Sequence, residues 1–181
     1  MLLDLTLRIT PKTVKTAESY EKKLLTGHMG THFDVMDKEF PLEYTKRAGI
    51  CFDVRGIEEI TAEHVDLNQV EKDMFVAFYT GFIEEEDYGT NRYFKEHPQL
   101  SFELIDQLVA KKISIIALDC SGVRRGSEHT PTDQKCAEKG VFVIENMVNL
   151  GQLCDKAFIA HTYPMNYAEM TGLPCRVVAE L

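Results

Sequence analysis

The sequence predicts an α/β fold whose sheet is at least partly parallel, and three observations carry that expectation. The runs DMFVAFYTG (73–81) and ISIIALD (113–119) are apolar on both faces, as strands covered on each side must be. Twice a helix-forming stretch leads directly into an apolar run: PQLSFELIDQLVAKK into ISIIALD, and TPTDQKCAEKG into VFVIE. No internal repeat or linker-like Gly, Ser or Pro stretch interrupts the chain, so a single domain over 1–181 is expected. At 181 residues it can bury a full core.

Residues 2 to 9 alternate polar with apolar and read as a first strand rather than as a leader, which would need a continuous apolar region after a basic start. AESYEKKLL (17–25) follows as a helix, stopped by Gly27. GICFDV (49–54) is rich in strand formers, and ITAEHVDL (60–67) reads as a short helix capped by Thr61. Ser101 is the expected N-cap of the helix that places Leu104, Ile105, Leu108 and Val109 on one face. In the last helix Thr130 is the expected N-cap, Pro131 the first residue and Asp133 the third. CRVVAEL is the final strand.

The composition is that of an ordinary globular protein, 44% hydrophobic and 27% charged. A net charge of -9 is poorly suited to gathering phosphates, so no nucleic-acid partner is expected. No apolar run approaches the length of a membrane span, and the chain is expected in the cytoplasm, away from membranes. Five cysteines, odd in number and without a C-x-x-C, read as reduced and mostly buried thiols.

GHMGTHFDVMDK (27–38) concentrates candidate ligands. His28, His32 and Asp34 supply imidazole nitrogen and carboxylate oxygen, the usual set for zinc, manganese, iron or nickel when no thiolate takes part. An extended strand would separate the ends of this triad by about 20 Å, so the segment must curl, which Gly27 and Gly30 permit. Spacing alone leaves a second reading open, in which the histidines sit in a loop or cap a helix and Asp34 accepts backbone hydrogen bonds.

HMGTHFD resembles the start of H-x-G-T-H-x-D-x-P-x-H, the signature of the cyclase family of metal-dependent hydrolases, which includes kynurenine formamidases and isatin hydrolases. LDLTLRI, FYTG, HPQLSFELIDQLVAKKISIIALDCSGV, GVFVIENMVNLGQL and GLPCRVVAEL are similar, in order, to further segments of that family. The resemblance implies a swivelling β/β/α domain with a mixed sheet, a smaller sheet and helices. It also implies a small-molecule substrate and a homo-oligomer, either a dimer or a tetramer.

For the site, the resemblance implies a first metal on His28, His32 and Asp34. A second site would use the positions of Lys38, Asp133 and Glu145. Here the chain departs from the pattern. Met36 replaces the signature's proline, and Lys38 its last histidine; an ammonium is no metal ligand. Asp133 stands where a histidine is expected, and a helix-capping role for it is the competing reading. The expectation is therefore one divalent metal, zinc or else manganese, with Lys38 replacing the second ion and pairing with Glu145 or Asp133. Glu145 ends an apolar strand, where a carboxylate needs a cation or donors, and is read as a ligand, base or partner of Lys38. His129 is read as an exposed loop residue.

A metal with an open coordination position activates water and polarises a carbonyl, which suits hydrolysis of an amide, formamide, lactam or ester. Glu145 and Lys38 are the catalytic candidates beside the metal, Glu145 handling the proton and Lys38 the developing oxyanion. The alternative is a catalytically degenerate relative that binds a small molecule or serves as an assembly subunit.

Overall fold

A computed structural model describes residues 1–9 and 20–181. Among the described residues there are ten strands: β1 Leu2–Asp4, β2 His32–Asp34, β3 Lys46–Asp53, β4 Glu59–Ile60, β5 Phe75–Tyr79, β6 Gln99–Leu100, β7 Ile115–Leu118, β8 Phe142–Glu145, β9 Phe158–Pro164 and β10 Gly172–Glu180. The described helices are α1 Tyr20–Thr26, α2 Phe82–Glu85, α3 Asn91–Lys95, α4 Phe102–Ala110 and α5 His129–Glu138. The main sheet runs β1-β10-β2-β8-β7-β5-β3-β9, and β9 pairs back onto β10, which closes it into a barrel. Strands β3, β5, β7 and β8 are parallel neighbours, whereas β2, β9 and β10 join antiparallel. The parallel pair β4 and β6 forms the smaller sheet. This is the mixed swivelling β/β/α architecture that the family resemblance implied.

Each apolar run is a strand because both of its faces are covered. Phe75, Ala77, Ile115, Ala117, Phe142 and Ile144 pack together on one side of the sheet, joined by Leu5, Phe33 and Leu150. Val76, Phe78, Ile116, Leu118 and Val143 face the other way and meet Leu104, Ile105 and Leu108 of α4 and Cys136 of α5. Burial of a Leu or Phe side chain contributes about 1.5–3 kcal/mol, so these two layers dominate the stability. Ser101 caps α4 as predicted, its hydroxyl accepting from Leu104 N at 3.2 Å.

Several elements differ from expectation. The first strand ends at Asp4, and Thr6 makes only an isolated bridge to Met147. The expected helix at 60–67 is a single 3₁₀ turn, Ala62–His64, with Thr61 and His64 capping each other. The beginning of the helix expected at 17–25 lies outside the described residues. Among the described residues no helix is long and apolar enough to cross a membrane.

Candidate metal centre

Helix α1 ends where Gly27 adopts φ +80°, and Gly27 and Gly30 (φ +71°) bend the chain before it enters β2. A β-carbon on Gly27 would lie 1.9 Å from Gly172 O, so the two glycine backbones meet where any side chain would separate them. The curl is therefore local to 27–31, and β2 proper begins at His32. His32 and Asp34, two residues apart, share one face of β2, while Phe33 points into the opposite layer. In β2–β8 register His32 lies opposite Glu145 and Asp34 opposite Val143, which brings Glu145 to the same face. Glu145 thus shares a face with Val143, the face on which α5 packs.

The first three candidates converge. His28 Nδ1 is 2.9 Å from Asp34 Oδ1 and 3.0 Å from His32 Nε2, and His32 Nε2 is 3.6 Å from the same carboxylate oxygen. Ligands of a tetrahedral ion at about 2.0–2.2 Å would lie about 3.3–3.6 Å from one another, close to this triangle. Orientation from behind supports the same reading. His32 Nδ1 donates to Gly30 O at 2.8 Å, which leaves a lone pair on Nε2 in the neutral ring, and His28 Nε2 meets Thr171 Oγ1 at 2.8 Å. A proton on His28 Nδ1 can serve one of the inward contacts, but not all three. The residues present fit a divalent cation.

A second group lies alongside. Asp34, His129, Asp133 and Glu145 each offer a ligand atom within 4.8 Å of the others. His129 Nε2 is 3.0 Å from Asp133 Oδ2 and 3.2 Å from Glu145 Oε1. Neither contact is aligned as a hydrogen bond: Glu145 Oε1, both Asp133 oxygens and Asp34 Oδ2 are buried without a hydrogen-bond partner. Buried carboxylate oxygens left in this state are costly unless a cation faces them. Asp34 belongs to both groups, which makes it the bridge between them. The buried carboxylates line the floor, while His28 and His129, with side chains 26% and 29% exposed, face the solvent side.

The titration of this cluster follows from its crowding. Burial opposes charge on His32, yet the Asp34 and Glu145 carboxylates outweigh it and raise its pKa. Burial likewise opposes charge on Asp34, but His32 and His28 hold it well below the usual range. Burial pushes Asp133 up to about 7, against the pull of His129. His129, despite burial, is raised to about 12 by Glu145 and Asp133.

Two expectations are corrected. Lys38 does not pair with Glu145 or Asp133; its Nζ lies 2.9 Å from Asp37 Oδ2 at the surface. The cause is Met36, whose φ of +57° a proline locked near −65° cannot adopt, so the chain turns away after β2. Asp37 is in turn held by Gln134 Nε2 of α5 at 2.8 Å. Nor is Thr130 a helix cap. A 3₁₀ turn, Gly126–Glu128, runs straight into α5 at His129, which places Asp133 in the second turn with no backbone donor to accept.

His129, read from the sequence as an exposed loop residue, is the member that reasoning missed. The signal available was its spacing: His129 and Asp133 are four apart, which aligns them on one helix face once the helix begins at His129. Its ring also lies over Gly122, where a β-carbon would come within 2.8 Å of it. At the neighbouring strand ends, Asp119 accepts from Thr80 N at 2.9 Å, Thr80 Oγ1 at 2.6 Å and Gly81 N at 2.7 Å. Thr80, Asp119 and Glu145 all stand at the carboxyl ends of parallel strands, where α/β folds place their ligands.

Comparison with known proteins agrees with this fold. The chain aligns with a structure described as a potential metal-dependent hydrolase with cyclase activity, at TM-score 0.77 and 21% identity over 99% of this chain and 98% of that one. A predicted metal-dependent hydrolase from Bacillus stearothermophilus aligns at TM-score 0.77 and 20% identity, over 99% and 97% of the two chains. Isatin hydrolase A from Labrenzia aggregata aligns at TM-score 0.74 and 17% identity, over 99% and 93%. No curated protein matches by sequence. The family model described as "Putative cyclase" matches residues 3–124, 122 of the 181 residues, and the chain therefore belongs to that cyclase family.

Proposed function

We propose that the protein is a metal-dependent hydrolase acting on an amide, formamide, lactam or ester of a small molecule. The observation that carries this reading is the convergence of His28, His32 and Asp34 on one point beside two further buried, hydrogen-bond-deficient carboxylates, Asp133 and Glu145. His28, His32 and Asp34 would hold the first divalent ion, zinc or manganese, and Asp34, His129, Asp133 and Glu145 a second. When bound, such ions polarise a carbonyl and make water nucleophilic near neutral pH.

The protein's own residues do the rest. Glu145, at the end of β8, offers two carboxylate oxygens: one would hold the second ion, and the other takes the proton from water and returns it to the leaving nitrogen or oxygen. Thr171 and Gly30 O hold the two imidazoles in the orientation that presents their lone pairs inward. Lys38, paired with Asp37 at the surface, has no part in this scheme. The likeness to isatin hydrolase A favours an aryl lactam or a related aryl formamide as substrate. The homo-oligomer implied by the family resemblance belongs to the same proposal, and sedimentation velocity reads it.

Metal analysis of the purified protein together with hydrolysis of a panel of aryl formamides and cyclic amides tests the proposal. Two ions per chain and turnover that chelation abolishes are expected. One ion per chain would restrict the metal to the first triad and leave His129 as an imidazolium among the carboxylates. Bound metal without turnover across the panel would overturn hydrolysis in favour of a small-molecule-binding protein.

A further inference from the structure

Cys51 and Cys154 lie 103 positions apart in sequence, yet their sulfurs are 3.8 Å apart. Cys51 sits on β3 with its side chain in the core layer of Phe75 and Leu150, and Cys154 follows the 3₁₀ turn Leu150–Gln152. Leu150 O lies 3.6 Å from Cys51 Sγ and 3.8 Å from Cys154 Sγ, so one carbonyl gathers both thiols. Their exposure differs: Cys51 is buried and Cys154 only half-buried. Cys51 also lines a cavity of about 590 Å³ bounded by Gly49–Asp53, Asp155 and Lys156, which opens where β9 ceases to pair with β3.

The asymmetry assigns roles. Cys154 is the more exposed of the two and the sulfur that ionises: the contact with Cys51 and the attraction of Arg55 lower its pKa despite burial and the nearby Asp53 and Asp155. Cys51 is held protonated by the same contact and by burial. The other three thiols lack such a neighbour. Cys120, Cys136 and Cys175 are buried, and burial pushes each of them up. A reactive thiol is one that is partly exposed and ionised, which singles out Cys154.

We propose that Cys154 and Cys51 form an oxidation site for a hydroperoxide, with Cys154 as the attacking sulfur and Cys51 as the resolving one. The Cys154 thiolate attacks a peroxide oxygen; an S–O bond forms, the O–O bond breaks, and hydroxide or alkoxide leaves. Cys154 is then a sulfenic acid, oxidised by two electrons while the peroxide is reduced. The Cys51 sulfur attacks Cys154 Sγ, the S–S bond forms, the S–O bond breaks, and the Cys51 proton leaves with the hydroxyl as water. The sulfurs must close by roughly 1.8 Å to reach a bond of about 2.05 Å. The disulfide would tie β3 to the segment that follows β8, the strand that ends at Glu145 of the candidate metal centre.

The test is exposure of the metal-loaded full-length protein to a small excess of hydrogen peroxide, followed by alkylation and peptide mapping. Expected is loss of two of the five thiols, an intact mass lower by two hydrogens, and a linked peptide joining Cys51 to Cys154 that dithiothreitol separates. In Cys51→Ser, dimedone should capture a sulfenic acid on Cys154; in Cys154→Ser, all four remaining thiols should survive. Retention of all five thiols under conditions that oxidise free cysteine would overturn the proposal. So would a link between other cysteines. The wild-type map decides the matter even if a serine variant fails to fold.

Discussion

His28 depends on a residue 143 positions away, since its Nε2 rests on the Thr171 hydroxyl at 2.8 Å. Thr171→Val removes that partner and leaves the ring free to turn, so metal affinity should fall about tenfold, the low end for a second-layer partner of a metal-binding histidine. Competition with a chromophoric chelator measures it, and an unchanged affinity would mean that the ring is oriented by something else. Asp119 provides a pH signature away from the metal centre. Burial raises its pKa to about 6, only partly offset by the donors from Thr80 and Gly81. Below about pH 4 both folded and unfolded states are protonated. Between about 4 and 6 the unfolded state releases its proton first, so stability falls as pH rises, by at most about 3 kcal/mol from this group. Asp119→Asn should be less stable overall, because it loses acceptor capacity, yet should lack this pH-dependent loss. Urea denaturation of both proteins at pH 4.5 and 7 compares them. A residue-scale reading of the sequence found His28, His32 and Asp34 because they sit within seven positions. It placed Lys38 wrongly because the backbone sign at Met36, φ +57°, is not written in the identity of methionine.

At the scale of elements, the passage from α1 into β2 rests on two glycines. Gly27→Ala would put a β-carbon 1.9 Å from Gly172 O at φ +80°. The variant should lose at least about 1 kcal/mol of stability in urea denaturation, and metal analysis should show the first ion depleted, because the curl that carries His28 depends on the same contact. Full retention of metal would show that the curl survives without the glycine contact. Elements with a local cause were legible: α4 from its Ser101 cap and apolar face, β5 and β7 from unbroken apolar runs. β9, Phe158–Pro164, was not read as a strand, although its buried residues alternate; His161 and Pro164 disguise the pattern. α5 was started two residues late, at Pro131 instead of His129. That shift left His129 in a loop and made a cap the competing reading of Asp133.

For the whole molecule, a metal that binds the folded chain and not the unfolded one must stabilise it. At a free concentration one hundred times its dissociation constant, that is about 2.7 kcal/mol. In a domain of this size the midpoint should therefore rise by roughly 5–10 °C when zinc or manganese is restored after chelation. Scanning calorimetry on chelated and reloaded protein checks this, and an unchanged midpoint would count against a folded-state metal. The sequence by itself determined the α/β class and singled out His28, His32 and Asp34 as a candidate triad, because helix and strand periodicity and a seven-residue motif are local properties of the chain. Only the tertiary structure decided what surrounds that triad. Antiparallel pairing sets His32 opposite Glu145, and the packing of α5 on β8 carries His129 and Asp133 to the same point. Closure of β9 onto β10 completes the barrel. Register and helix docking are fixed by burial of whole faces, a quantity that belongs to the assembled layers and to no segment taken alone.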